Sequence, residues 1–120
     1  MAQGINQPAP TISTHILDTE RGAPAVGLRV TLYRLADDGR PLRLTQALTD
    51  DDGRVRDLLE RPLVAGEYRL EFDLIPELDA APTDRLFRRV SLDLRVADAA
   101  RSYHVPLLLA PFSLTTYRGS

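Results

Sequence analysis

Glu67-Tyr68-Arg69-Leu70-Glu71-Phe72-Asp73 alternates without interruption, with apolar Tyr68, Leu70 and Phe72 set between charged neighbours. Successive side chains of an extended strand point to opposite faces, so this stretch predicts a half-buried strand whose apolar face must meet another sheet. The same period of two recurs along the chain. Ile12, Thr14 and Ile16 alternate with Ser13, His15 and Leu17 in a first strand ending near Asp18. Leu28, Val30 and Leu32 alternate with Arg29, Thr31 and Tyr33 in a second, running to about Leu35. Leu42, Leu44 and Leu48 beside Arg43, Thr45 and Thr49 predict a third, closing at Asp50. Residues 54–58 predict a brief edge strand, and Val90, Leu92, Leu94 and Val96 a longer one before two terminal strands. Arg21-Gly22-Ala23-Pro24, Asp37-Asp38-Gly39 and Asp50-Asp51-Asp52-Gly53 supply turn chemistry between them. Ile75-Pro76-Glu77-Leu78-Asp79-Ala80 predicts one short helix of a turn or two, ended by Pro82. Seven to eight short strands, one short helix and Gly/Pro/Asp-rich turns describe an all-β chain, a two-sheet antiparallel β-sandwich.

Length and charge narrow what such a sandwich can do. The 120 residues suffice for one core and not for two. Residues 1–10, with Gly4, Asn6, Pro8 and Pro10, read as a flexible leader, and residues 11–120 as the domain. Fifteen basic and 17 acidic residues, net charge -2, are interspersed and offer no basic stripe for nucleic acid. The absence of cysteine excludes a disulfide framework, a thiolate metal site and a Cys nucleophile. No apolar run approaches the roughly 20 residues of a membrane helix, and the first ten residues lack secretory features. A cytoplasmic protein with no membrane and no nucleic-acid partner is the expectation, and the absence of a terminal Ser-Lys-Leu gives no peroxisomal address.

Chemistry concentrates near the carboxyl end. In the run from Tyr103 to Leu109 the odd positions Tyr103, Val105, Leu107 and Leu109 make a core face, which leaves His104, Pro106 and Leu108 opposite. That second face is too apolar for open water, so a partner subunit is expected over it, with His104 in the interface. The chain has two histidines, His15 and His104, and both fall within strands. Each can exchange a proton near neutrality, although a lone strand histidine is more often structural. Arg54 follows a glycine turn, where an isolated arginine is ordinarily a solvated charge. Arg118 and Ser120, in the closing Tyr117-Arg118-Gly119-Ser120, invite the same dismissal singly. In combination, a guanidinium fork can hold carbonyl oxygens or an anion while a neutral imidazole takes a proton from water, which makes a hydrolytic site. No His-x-x-x-His, Cys-x-x-Cys or His-x-Glu spacing supports zinc, and no Gly-x-Ser-x-Gly elbow supports an acyl-enzyme. No metal is expected, and direct attack by activated water is the simpler chemistry.

Three blocks carry a resemblance. They are Ser13-Thr14-His15-Ile16-Leu17-Asp18-Thr19 with Gly22 and Pro24, then Thr49-Asp50 through Asp52-Gly53-Arg54 with Asp57-Leu58-Leu59, and Tyr103-His104-Val105-Pro106-Leu107-Leu108-Leu109 through Tyr117-Arg118-Gly119-Ser120. Together, in this order and spacing, they resemble the 5-hydroxyisourate hydrolases, transthyretin-like enzymes of urate breakdown. The resemblance implies the transthyretin-like (prealbumin-like) sandwich, assembled as a homotetramer, a dimer of dimers with its sites in the channel between dimers. It implies that His15, Arg54 and His104 are catalytic and that Tyr117, Arg118, Gly119 and Ser120 form the substrate-binding pocket wall. The implied substrate is the small molecule 5-hydroxyisourate, opened to 2-oxo-4-hydroxy-4-carboxy-5-ureidoimidazoline without metal or organic cofactor. Leu86-Phe87-Arg88-Arg89 departs from the family's Phe-Phe-Pro-Glu-like entry to the strand before the last turn.

Two other readings share the strands. A non-catalytic transthyretin-like carrier binds a small ligand in the same fold, and the fold alone does not separate it from an enzyme. The two histidines, Arg54 and the tail are what a carrier has no reason to assemble. An immunoglobulin-like interaction module also explains the strands, but the chain lacks the Cys and Trp of true immunoglobulin domains.

Overall fold

The computed structural model describes residues 9–75 and 85–119. Most of the expected leader, the expected helix beyond Ile75, and Ser120 lie outside the described residues. Among the described residues there are nine strands: β1 (Ile12–Asp18), β2 (Ala23–Pro24), β3 (Arg29–Leu35), β4 (Pro41–Leu48), β5 (Arg54–Val55), β6 (Gly66–Asp73), β7 (Arg89–Val96), β8 (Tyr103–Leu109) and β9 (Leu114–Thr116). They form two sheets. One has the order β2-β1-β8-β9, with β5 also paired to β1, and the other the order β4-β3-β6-β7.

The sheets pack through the faces that the alternation predicts. Ile12 and Ile16 of β1 and Val105, Leu107 and Leu109 of β8 meet Val30 and Leu32 of β3, Tyr68, Leu70 and Phe72 of β6, and Val96 of β7. All are buried, and removal of this apolar surface from water is the main drive to closure. Leu58, Leu59 and Leu63, in the segment after β5, close one side of the core. Two polar groups enter it satisfied: Tyr68 donates its hydroxyl to the Val64 carbonyl (2.7 Å), and Thr14 donates Oγ1 to the Val105 carbonyl (2.6 Å).

Three features depart from the sequence pattern. The pairing of β1 with β8 is parallel, whereas every other strand pair is antiparallel. The two ends of the chain thus lie side by side, a long-range arrangement that no local signal specifies. Ala23-Pro24, read as turn, pairs with the end of β1 as a two-residue strand, and the turn itself occupies residues 19–22. In β4 the register against β3 shifts between Leu32 and Tyr33, so Leu44 and Ala47, of opposite parity, both pack on the core while Leu42 and Leu48 are exposed.

The turn between β4 and β5 is held by its own residues. Asp50 accepts backbone N–H bonds from Arg54 (3.0 Å) and Asp52 (2.8 Å), and these, the Arg54 N–H foremost, lower the proton affinity of its carboxyl. Gly53 sits at φ 75°, and its carbonyl accepts the Ile16 N–H of β1 at 2.8 Å. A Cβ there would collide with the Ile16 carbonyl oxygen, so only glycine lets this corner lie against β1. The predicted edge strand at residues 54–58 shortens to β5, which pairs with β1.

Candidate active site

Alternation and register together set the site on the outer face of the five-stranded sheet. In β1 the buried residues are Ile12, Thr14, Ile16 and Asp18, which turns Ser13, His15 and Leu17 outward. Residues paired across strands share a face. Ser13 pairs with His104, His15 with Pro106, and Leu17 with Leu108. On the other edge of β1, His15 pairs with Arg54 and Thr14 with Val55, so Val55 enters the core and Arg54 faces out beside His15. The three residues expected to be catalytic therefore share one surface. His104 stands one strand over and two residues along from His15, its diagonal neighbour on the same face.

The tail completes the surface at its β8 edge. Antiparallel β9 pairs Leu108 with Thr115 and Leu107 with Thr116. The same register continues to Gly119, which bridges His104 and donates its N–H to the His104 carbonyl at 2.7 Å. Between these points the ladder is interrupted opposite Pro106, which has no N–H to give, and Thr116 Oγ1 donates to the Pro106 carbonyl at 2.8 Å. Gly119 lies so close to the imidazole that an added Cβ would stand 2.7 Å from His104 Cδ2. The glycine of the closing tetrapeptide is thus explained by space. Tyr117 is exposed, and the Arg118 guanidinium stacks on the Tyr103 ring at 4.4 Å from its centroid. Arg118 is held by that stacking within the single chain, while Gly119 reaches His104 directly.

His104 is half-buried, and its Nδ1 lies 2.9 Å from Ser13 Oγ. Burial first, then the positive charge of Arg54 and then electrostatic interaction with His15, push the proton affinity of His104 below its ordinary value. An imidazole so placed is neutral at pH 7 and able to accept a proton, and the guanidinium beside it can hold an oxyanion. Among the described residues no cluster of three or more metal-binding side chains occurs.

Other residues of the three blocks have structural duties. Asp18 accepts the N–H groups of Glu20 and Arg21 (both 3.1 Å) and pairs with the shielded Arg85 at 2.6 Å. Thr19 bonds the Leu109 carbonyl through both N–H and hydroxyl, tying β1 to the end of β8. Asp57 accepts the Leu59 N–H and the Thr11 hydroxyl, fixing the segment that carries Leu58 and Leu59 inward. In the departing Leu86-Phe87-Arg88-Arg89, Leu86 donates to the Pro111 carbonyl and Phe87 packs on the core. That joins the sheets at the Leu109 end of β8, away from His104. Ser13 is the site-face residue to which the sequence assigned no role. Its parity with His15 marks the face, but its meeting with His104 follows from the parallel pairing of the chain's two ends.

Known proteins resemble this chain in sequence and in fold. The chain is 43% identical over 116 residues to a 5-hydroxyisourate hydrolase of Deinococcus radiodurans, covering 92% of this chain and 97% of the relative. Among solved structures, Klebsiella pneumoniae 5-hydroxyisourate hydrolase superposes with a TM-score of 0.75 at 32% identity, covering 92% of this chain and 99% of that one. Sea bream transthyretin, solved in complex with thyroxine, superposes with a TM-score of 0.76 at 26% identity over 90% of this chain and 93% of that one. The model of the HIUase/Transthyretin family matches residues 12–119, from the first residue of β1 to the glycine that touches His104, and the chain belongs to that family.

Proposed function

We propose that this chain is a 5-hydroxyisourate hydrolase, opening the six-membered ring of its substrate to 2-oxo-4-hydroxy-4-carboxy-5-ureidoimidazoline in purine breakdown. The observation that carries the proposal is the convergence of His15, Arg54 and His104 on one face of the five-stranded sheet. The 43% identity to a hydrolase over nearly the whole chain supports it.

In the proposed reaction one neutral histidine takes a proton from water as the water oxygen attacks the C6 carbonyl of the ring. The carbonyl electrons move onto oxygen, where Arg54 and the second histidine stabilise the charge. The tetrahedral intermediate then collapses with cleavage of the carbon–nitrogen bond. The ring nitrogen takes the proton back and a carboxylate is left. Tyr117, Arg118, Gly119 and Ser120 form the wall of the substrate pocket in this reading. No metal or organic cofactor takes part.

The same outer face carries the part-exposed Leu17 and Leu108 beside the site, which supports a second subunit packed over it. The assembly we propose is a homotetramer, a dimer of dimers with the sites between dimers, working in the cytoplasm. The test is hydrolysis of freshly generated 5-hydroxyisourate in water enriched in oxygen-18. Accelerated loss of substrate with one solvent oxygen in the new carboxylate is the expected result. A rate equal to that of the protein-free blank would sink the proposal.

A further inference from the structure

We propose that Ser13 is the positioning residue for His104: its hydroxyl accepts the Nδ1–H and so fixes the imidazole in the tautomer whose Nε2 carries the free lone pair. The inference rests on the hydrolase reading for its purpose, because it makes His104 the histidine that takes the proton from water.

The bond is a product of the backbone. Ser13 and His104 are register partners in the parallel β1/β8 pair, both turned outward, and Ser13 Oγ stands 2.9 Å from Nδ1. On the ring's other side Gly119 packs so near that a Cβ would be 2.7 Å from Cδ2 and 3.3 Å from Cγ. The ring is thereby clamped between a hydroxyl and a glycine, and Nε2 is the nitrogen left for chemistry.

Protonation logic selects the direction of the bond. A hydroxyl can donate or accept. If Ser13 donated to Nδ1, the neutral ring would carry its proton on Nε2 and could take none from water there. If Ser13 accepts from Nδ1–H, the same bond persists in the neutral ring and in the imidazolium, so the proton comes and goes at Nε2 without rearrangement. A hydroxyl also brings no negative charge. Among the described residues, the groups set near His104 by pairing and packing are Ser13 and His15 of β1, Arg54 of β5 and Gly119 of the tail, with Tyr103 and the Arg118 stacked on it alongside, and none of these side chains is a carboxylate. Burial, Arg54 and His15 lower the proton affinity of the ring, in that order, and Ser13 does not reverse them.

The experiment is nitrogen-15 NMR of the histidine rings in the full chain. With two histidines in the sequence, His15→Asn and His104→Asn assign the signals. Above its titration midpoint, His104 of the unaltered protein is expected as the Nδ1–H tautomer. Ser13→Ala is expected to move it toward the Nε2–H form and to lower kcat about tenfold, with KM changed less than about twofold. Ser13→Thr keeps a hydroxyl on Cβ and is expected to restore both. An Nε2–H tautomer in the unaltered protein, or tautomer populations indifferent to Ser13→Ala, overturns the proposal. The expected tautomer and its dependence on Ser13, found in a protein that does not speed substrate decay, would uphold the role of Ser13 and remove the hydrolase reading instead.

Discussion

His104 carries the most consequential electrostatics of the chain. Burial, then Arg54, then His15 hold its imidazole below the ordinary 6.5, so the folded protein binds that proton less readily than the unfolded chain does. The sign follows directly. Stability from this group is full above pH 6.5 and is lost as pH falls from there through the folded value, because the unfolded chain protonates first. A base must be neutral to work, so the acid limb of kcat/KM is expected below pH 6.5. Arg54→Gln removes a positive neighbour and should raise the NMR titration midpoint of His104, and an unmoved midpoint would refute the influence of Arg54. Gly119 tests the steric side of the site. Gly119→Ala sets a methyl 2.7 Å from His104 Cδ2, and the displaced ring should lower kcat about 100-fold with little loss of melting temperature. Kinetics and calorimetry on the same sample separate these outcomes. His15, Arg54 and His104 were all legible in the sequence as candidates, since each is a chemically capable group of fixed parity on a strand or corner. The contact of Ser13 with His104 was not, because it joins residues at opposite ends of the chain.

The corner between β4 and β5 sets the height of Arg54 above the sheet. Gly53 holds φ 75° and donates its N–H to the Asp50 carbonyl, while its own carbonyl receives the Ile16 N–H. Gly53→Ala is expected to cost roughly 1–3 kcal/mol of stability from the strained backbone and the contact with Ile16. It should also lower activity by displacing Arg54, and unchanged chemical denaturation would contradict this account of the corner. Alternation made β1, β3, β6 and β7 readable, because each sets an apolar face against a more polar one, and β8 was readable from the parity of its core residues. It misread β4, where the irregularity opposite Leu32 and Tyr33 changes which parity faces the core. The two-residue strands β2 and β5 are too short for a period to declare itself, and their existence depends on β1 being beside them.

The outer faces of the two sheets differ in kind. That of the four-stranded sheet is laced with ion pairs, Arg69 with Asp93 at 2.7 Å and Arg95 with Glu67 at 3.0 Å, and suits water. That of the five-stranded sheet sets the part-exposed Leu17 and Leu108 beside two histidines and an arginine. If the proposed tetramer forms on this face, Leu108→Glu should yield smaller species by light scattering and lose activity while the fold, by circular dichroism, survives. An unaltered tetramer would move the interface elsewhere. The sandwich as a class was legible because one-sided strands have few ways to hide their apolar faces. The parallel union of β1 and β8, which assembles the site, was beyond any local pattern. The most direct measurement of the account is the ultraviolet decay of fresh 5-hydroxyisourate with the unaltered protein and with His15→Asn, Arg54→Gln and His104→Asn, spontaneous hydrolysis subtracted. The account predicts acceleration by the unaltered protein and a loss of about 100-fold or more in each folded variant. Decay at the blank rate, or acceleration that survives all three substitutions, would contradict it.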